Sequence, residues 1–146
     1  YLFRHYADEP KASNIANQIV AARKARPITT TTQLADLISR VYHHKAGRGI
    51  HPATKVFQAL RIAVNDELHA LEQTIPQAIN LLAPEGMLAI ISFHEGEDRI
   101  VKNTLKNEAV KGSVEIVNQK VIIPDALEIS ANPRARSAKL RLARKN

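Results

Sequence analysis

In the stretch ISFHEGEDRIV, residues 90–100, Ser92, His94, Glu95, Glu97, Asp98 and Arg99 crowd together directly after an apolar run. His94, Glu95 and Asp98 are metal-ligand types. Consecutive residues on a turn seldom converge on one ion, however, and no second histidine or aspartate stands at ligand spacing, so no metal is expected. Glu97 and Asp98 are also the acids that complement a helix dipole in its first turn. That explains the acids and leaves His94 and Arg99 unaccounted for. If the apolar run is a strand of an open α/β sheet, its carboxyl end is where ligands bind.

A second set, Thr54, Gln58, Arg61 and Asn65, is spaced by four, three and four, which puts all four on one narrow helical face. A hydroxyl and two amides beside one arginine suit hydrogen bonding to a planar polar ligand such as a base edge, or a polar contact between helices. A third set, Arg134, Arg136 and Ser137 in NPRARSAKLRLA, has the chemistry to grip phosphate, or is simply solvated. Arg48 belongs to a basic loop, HHKAGRGIH, whose Gly47-Arg48-Gly49 follows no strand and lacks the third glycine of a dinucleotide fingerprint. No serine or cysteine nucleophile motif is present.

The elements that must position these residues follow from periodicity. Ile15, Ile19 and Ala22 predict a helix over about residues 9–25, ended by Arg26-Pro27. Thr30, with Gln33 three residues on, predicts a capping box for a second helix with the stripe Leu34, Leu37, Ile38 and Val41. From Ala53 the stripe Val56, Leu60, Val64, Leu68, Leu71 and Ile75 predicts one long helix, which Pro76 kinks or restarts. The turn Pro84-Glu85-Gly86 leads into MLAIISF, which reads as a strand buried on both faces, as in a parallel sheet. Glu97 to Leu105 is helical, SVEIV and KVII read as strands, and SAKLRLA alternates Ala138, Leu140 and Leu142 against Lys139 and Arg141, a strand with one wet face. The order is that of the latter half of an α/β sheet domain behind a small helical unit.

The 146 residues allow one domain with a core, or part of a larger one. Tyr1 in place of a methionine suggests a piece of something longer. No apolar run approaches the roughly 18 to 20 residues of a membrane span. The absence of cysteine excludes disulfides and thiolate chemistry and fits a reducing, cytoplasmic setting. A net charge of +7 favours an anionic partner, of which nucleic acid is the commonest, while the scarcity of aromatics argues against a stacking platform for single strands.

Taken in order, HPATKVFQALRIAVNDEL, LAPEGMLAIISFHEGEDRIVK and NPRARSAKLR resemble the signature segments of the bacterial 16S ribosomal RNA cytosine-N4 methyltransferases, and PITTTTQLADLI resembles the motif of that family's inserted helical domain. The resemblance runs from Tyr6 to the C-terminus. It implies the C-terminal half of a class I Rossmann-like methyltransferase domain, residues 51–146, preceded by part of the helical insertion, residues 1–50. It implies a cytoplasmic enzyme that moves a methyl group from S-adenosylmethionine to a cytosine amine of the small ribosomal subunit. The family's glycine-rich cofactor loop and acidic ribose ligand have no counterpart here, so the chain alone is expected to be inactive, and a non-catalytic RNA-binding or assembly module is the alternative.

Carried over onto this chain, the resemblance implies that Thr54, Gln58, Arg61, Asn65, Ser92, His94, Asp98 and Arg99 meet the target base, and that Arg48, Arg134, Arg136 and Ser137 meet RNA phosphate. A sheet edge without its other half predicts a homodimer, association with the missing half, or poor solubility. One departure stands out. The family usually reads Ser-Phe-His-Ser-Leu-Glu-Asp-Arg, and here Glu95-Gly96 replaces Ser-Leu, which predicts repulsion toward RNA phosphate and a looser turn.

Overall fold

Apolar spacing at threes and fours builds the first of two compact units, Tyr1–Asn65, around four helices: α1 (Leu2–Ala7), α2 (Ala12–Ala25), α3 (Thr31–Tyr42) and α4 (Ala53–Asn65). The structure is a computed structural model that describes residues 1–43 and 50–146. Arg48 and the rest of the basic loop over 44–49 therefore lie outside the described residues. Ile15, Ile38, Ala53 and Val56 form the buried core of this unit, flanked by Phe3, Ile19, Leu34 and Val41. The Thr30 box is present as the sequence predicts: the Gln33 N–H donates to Thr30 Oγ1 at 3.2 Å and the Thr30 N–H donates to Gln33 Oε1 at 3.2 Å.

Two features of this unit differ from the sequence reading. Helix α1 was not expected, and α2 begins at Ala12 rather than residue 9. The cause is Glu9, which is buried: its carboxylate accepts from the Lys11 N–H at 2.8 Å and from the Tyr42 hydroxyl, so it folds into the core rather than starting a helix. Burial first, and then the Glu9 carboxylate, push the Tyr42 hydroxyl up to about 12. On α4 the buried positions are Ala53, Val56, Ala59 and Ile62, whereas Val64 is 83% exposed. Helix α1 packs against α4. The long helix predicted through residue 75 is instead broken at Asp66, which sits in the left-handed region at φ 51°, so the stripe has no need to keep its register past Asn65.

The second unit, Asp66–Asn146, holds α5 (Glu67–Leu81), β1 (Met87–Ser92), α6 (Glu95–Val110), β2 (Val114–Ile116), α7 (Ala126–Ala131), a 3-10 turn (Pro133–Ser137) and β3 (Lys139–Lys145). Helix α5 runs through Pro76 without restarting. The strands form a sheet of order β1-β3-β2 in which β3 is antiparallel to both neighbours. Ile75 and Ile79 of α5, Val101 and Leu105 of α6, Val114 and Ala143 make its core, each large side chain contributing about 1.5–3 kcal/mol by burial.

β1 therefore differs from the parallel, doubly buried strand expected. Leu88, Ile90 and Ser92 face the helices, while Met87 and Ile91 are 49% and 58% exposed, and no strand pairs its other edge among the described residues. The face of β3 expected to be wet is the one that meets α6, because Lys139 and Arg141 find acidic partners there. KVII contributes only an isolated bridge, Ile122 to Leu140. The turn before β1 is stitched to β3, the Glu85 N–H donating to the Lys145 carbonyl at 3.0 Å and the Lys145 N–H to that of Gly86 at 2.9 Å. Gly86 admits no side chain, since a Cβ would stand 2.8 Å from the Ala83 carbonyl oxygen. The Lys145 ammonium donates to the Asn80 and Leu82 carbonyls and so caps the end of α5.

Candidate functional site

The end of β1 is fixed by the register with β3, in which Ser92 stands opposite Lys139. Ser92 is buried, and its hydroxyl donates to the Lys139 carbonyl at 3.4 Å. His94 follows in extended conformation as the N-cap of α6. Its Nδ1 accepts from the Glu97 N–H at 3.3 Å, and the Glu97 carboxylate accepts from the N–H groups of His94 at 3.3 Å and Phe93 at 2.8 Å. A neutral imidazole that accepts at Nδ1 carries its proton on Nε2. That atom is buried 3.3 Å from Glu97 Oε1 and makes no hydrogen bond among the described residues. The His94 imidazole beside it, first, and the bond from the Phe93 N–H, working against desolvation, hold the Glu97 carboxyl down at about 2.

One turn on, Asp98 receives a two-point grip from Arg141: Nε donates to Oδ1 at 2.7 Å and Nη2 to Oδ2 at 3.0 Å. Both side chains are nearly buried, and the guanidinium holds the Asp98 carboxyl below its ordinary range. The Lys139 ammonium pairs with Glu95. Arg99 is exposed.

This resolves the Glu95-Gly96 departure. The charge of Glu95 is opposed by Lys139, which offsets the expected repulsion. The turn is not loose, because a Cβ on residue 96 would lie 3.2 Å from both Cε1 and Nδ1 of His94, so Gly96 is the space in which the capping ring lies.

Within the second unit, the structure brings Ser92, His94, Asp98 and Arg99 together at one end of the sheet. Because Ser92 pairs with Lys139, the 3-10 turn carrying Arg134, Arg136 and Ser137 feeds β3 at that same end. Arg134, Arg136 and Ser137 are exposed, and the Arg136 guanidinium donates to the Pro133 carbonyl at 3.2 Å. Thr54, Gln58, Arg61 and Asn65 lie in the first unit on α4, with Gln58 half-buried and the others exposed. The start of α4 uses a second histidine, His51, whose Nδ1 accepts from the Ala53 N–H at 3.1 Å and whose Nε2 lies 3.2 Å from the Ser39 hydroxyl.

Sequence reasoning missed Lys139 and Arg141 as partners of the α6 acids. Their only signal was two cations placed alternately in the last strand. Among the described residues no group of three or more histidine, aspartate or glutamate side chains is arranged to hold a metal. At the start of α6 the His94 side chain takes the Glu97 N–H, and the Glu97 carboxylate takes the N–H groups of Phe93 and His94 just before the helix.

The MraW methylase family model matches residues 1–146. The chain belongs to that family. Three similar relatives all bear the name ribosomal RNA small subunit methyltransferase H. That of Leptospira borgpetersenii is 47% identical, aligned over 99% of this chain and 46% of its own length. That of Magnetococcus marinus is 45% identical, over 99% and 51%. That of Thermomicrobium roseum is 46% identical, over 97% and 48%. This chain thus spans about half the length of the curated relatives it matches, and no helix among its described residues is long and apolar enough to cross a membrane.

Proposed function

We propose that this chain is the substrate-side half of an S-adenosylmethionine-dependent methyltransferase of Rossmann-like fold that modifies N4 of a cytosine in 16S ribosomal RNA in the cytoplasm. In this reading residues 1–50 belong to a helical insertion and 51–146 to the methyltransferase domain. The observation that carries it is the family match along the whole chain, with relatives named for small-subunit ribosomal RNA methylation.

S-adenosylmethionine would supply the methyl group, held by parts of the protein beyond those described here, because the family's glycine-rich cofactor loop and acidic ribose ligand have no counterpart in this sequence. The residues of this chain would serve the acceptor. A cytosine amine is a poor nucleophile because its lone pair is delocalised into the ring, so the base must leave its stack and be oriented. Ser92 and the rigidly capped His94 line the strand end that receives it, with Arg99 beside them. Asp98 enters through Arg141, which its carboxylate fixes. Thr54, Gln58, Arg61 and Asn65 offer α4's hydrogen-bonding face to RNA, and Arg134, Arg136, Ser137 and Arg48 meet phosphate. The free edge of β1 and the exposed Met87 and Ile91 suit association with the remaining half or with a second copy.

Calorimetry is expected to find no S-adenosylmethionine binding by the chain alone; micromolar binding would overturn the placement of the cofactor site. Joined in one polypeptide to the amino-terminal half of the Leptospira relative, the chain is expected to form N4-methylcytosine in unmethylated small subunits, read by mass spectrometry. A fusion that binds both cofactor and RNA yet leaves cytosine unmodified would favour a non-catalytic RNA-binding module.

A further inference from the structure

Away from the strand end described above, α6 and the β2–β3 side of the sheet enclose a cavity of about 490 Å3. Leu105 and Ile116 give it an apolar wall, and Lys102 and Lys106 stand on its α6 side. These two lysines are one helical turn apart, which places them about 6 Å from each other. Neither makes a hydrogen bond or ion pair among the described residues. Arg141 also borders the cavity, but its guanidinium is already committed to Asp98, so the two lysines, Lys102 within electrostatic reach of the Asp98 carboxylate, are the cations left without a hydrogen-bond partner there.

The opposite side is held in place by Asn118. Its Oδ1 accepts from the Leu142 N–H at 2.6 Å, and its Nδ2 donates to the Leu140 carbonyl at 3.2 Å and to that of Lys120 at 2.8 Å. The neighbouring Gln119 lines the cavity with an amide that has no hydrogen-bond partner among the described residues.

We propose that this cavity takes one nucleotide unit of an RNA chain, its phosphate on Lys102 and Lys106 and its sugar or base along Leu105 and Ile116 beside the Gln119 amide. Two ammonium groups with no hydrogen-bond partner among the described residues suit a phosphate's clustered oxygens. A cavity of this size is within the usual range for organic ligands and exceeds what a lone phosphate fills, which is why a nucleotide of a chain is preferred to a free anion. The proposal rests on the reading that this protein meets RNA, and it adds a contact that the candidate site residues named above do not supply.

The test is fluorescence anisotropy of the full chain with a labelled single-stranded oligoribonucleotide from 50 to 200 mM KCl, roughly the span over which phosphate contacts are lost. K102A/K106A is expected to weaken binding and to reduce the salt slope by about two, one for each phosphate-contacting lysine. Gln119→Glu, which places a negative charge in the cavity, is expected to weaken binding with an unchanged melting temperature. Binding and slope unaltered in K102A/K106A, with wild type still binding, would overturn the cavity assignment and leave the RNA reading intact. No binding by wild type at low salt would overturn both. Displacement of RNA by inorganic phosphate or by polyglutamate, beyond that caused by KCl at equal ionic strength and lost in K102A/K106A, would replace the nucleotide with a free anion or an acidic protein.

Discussion

Helices α3 and α6 start on the same reciprocal pair of hydrogen bonds, made from different groups. At α3 the acceptors are the Thr30 hydroxyl and the Gln33 amide, both neutral at every pH of interest. At α6 they are the His94 imidazole and the Glu97 carboxylate. The α3 start is complete within five residues, Thr29 to Gln33. The α6 start also draws on β3, through Asp98–Arg141 and Glu95–Lys139. A helix that only has to begin needs a cap; one that must hold a strand end and a first turn in fixed relation is tied to the sheet as well, and it does so with groups that titrate.

The largest expected effect separates those two kinds of anchor. Asp98→Ala leaves a nearly buried Arg141 unpaired and is expected to cost about 3 kcal/mol in urea unfolding, the lower end for breaking a buried pair. A loss of less than about 0.5 kcal/mol, the scatter of ordinary surface substitutions, would mean that α6 rests on its cap alone, as α3 does.

Next in size is the response to acid. The carboxyls of Glu97 and Asp98 are both depressed in the folded protein, so the stability they contribute is full above their unfolded values and lost as the pH falls through the folded ones. For Glu97 that window runs from about 4.5 down to about 2. Unfolding followed between pH 6 and 2.5 is expected to show a loss that Glu97→Gln makes shallower. An unchanged acid profile in that variant would remove Glu97 from the cap.

Thr30→Ala is the matching cut at α3. It is expected to cost about 1 kcal/mol, the usual worth of such a cap, with the same penalty at pH 6 and pH 3. A penalty that changes with pH would erase the distinction between the two boxes.

The same contrast explains what could be read from the sequence. The Thr30–Gln33 box was legible because its partners are three residues apart and of the favoured types. The His94–Glu97 box has the same spacing, but the sequence explains Glu97 only as a helix-dipole acid and leaves His94 without a structural role, since histidine is an uncommon cap. Arg141 was placed on a wet face because strand alternation gives the period of a strand and not which side a helix covers. Asp98 lies 43 residues from it in sequence. The break at Asp66 was hidden for a related reason: a continuous apolar stripe runs through it, and a single residue in the left-handed region leaves no trace in hydrophobic spacing. Segment order and the candidate strand end were legible; pairing direction, and the cations that neutralise the α6 acids, depend on tertiary contacts.

The smallest expected effect concerns Gly96. An alanine there gains helix propensity, about 1 kcal/mol in a helix interior and less in a first turn. It also sets a methyl group 3.2 Å from two atoms of a ring that is mostly buried and held by the Glu97 N–H. The two changes oppose each other, so Gly96→Ala is expected to shift stability by less than about 0.5 kcal/mol, within the range of surface substitutions. The informative readout is therefore local: the His94 ring resonances in the NMR spectrum are expected to move while those of His51, the other capping histidine, stay in place. If the His94 signals stay fixed as well, the ring does not occupy the space left by Gly96. The α6 start would then tolerate the family's bulkier residue without rearrangement, and the glycine would have no part in making histidine a cap.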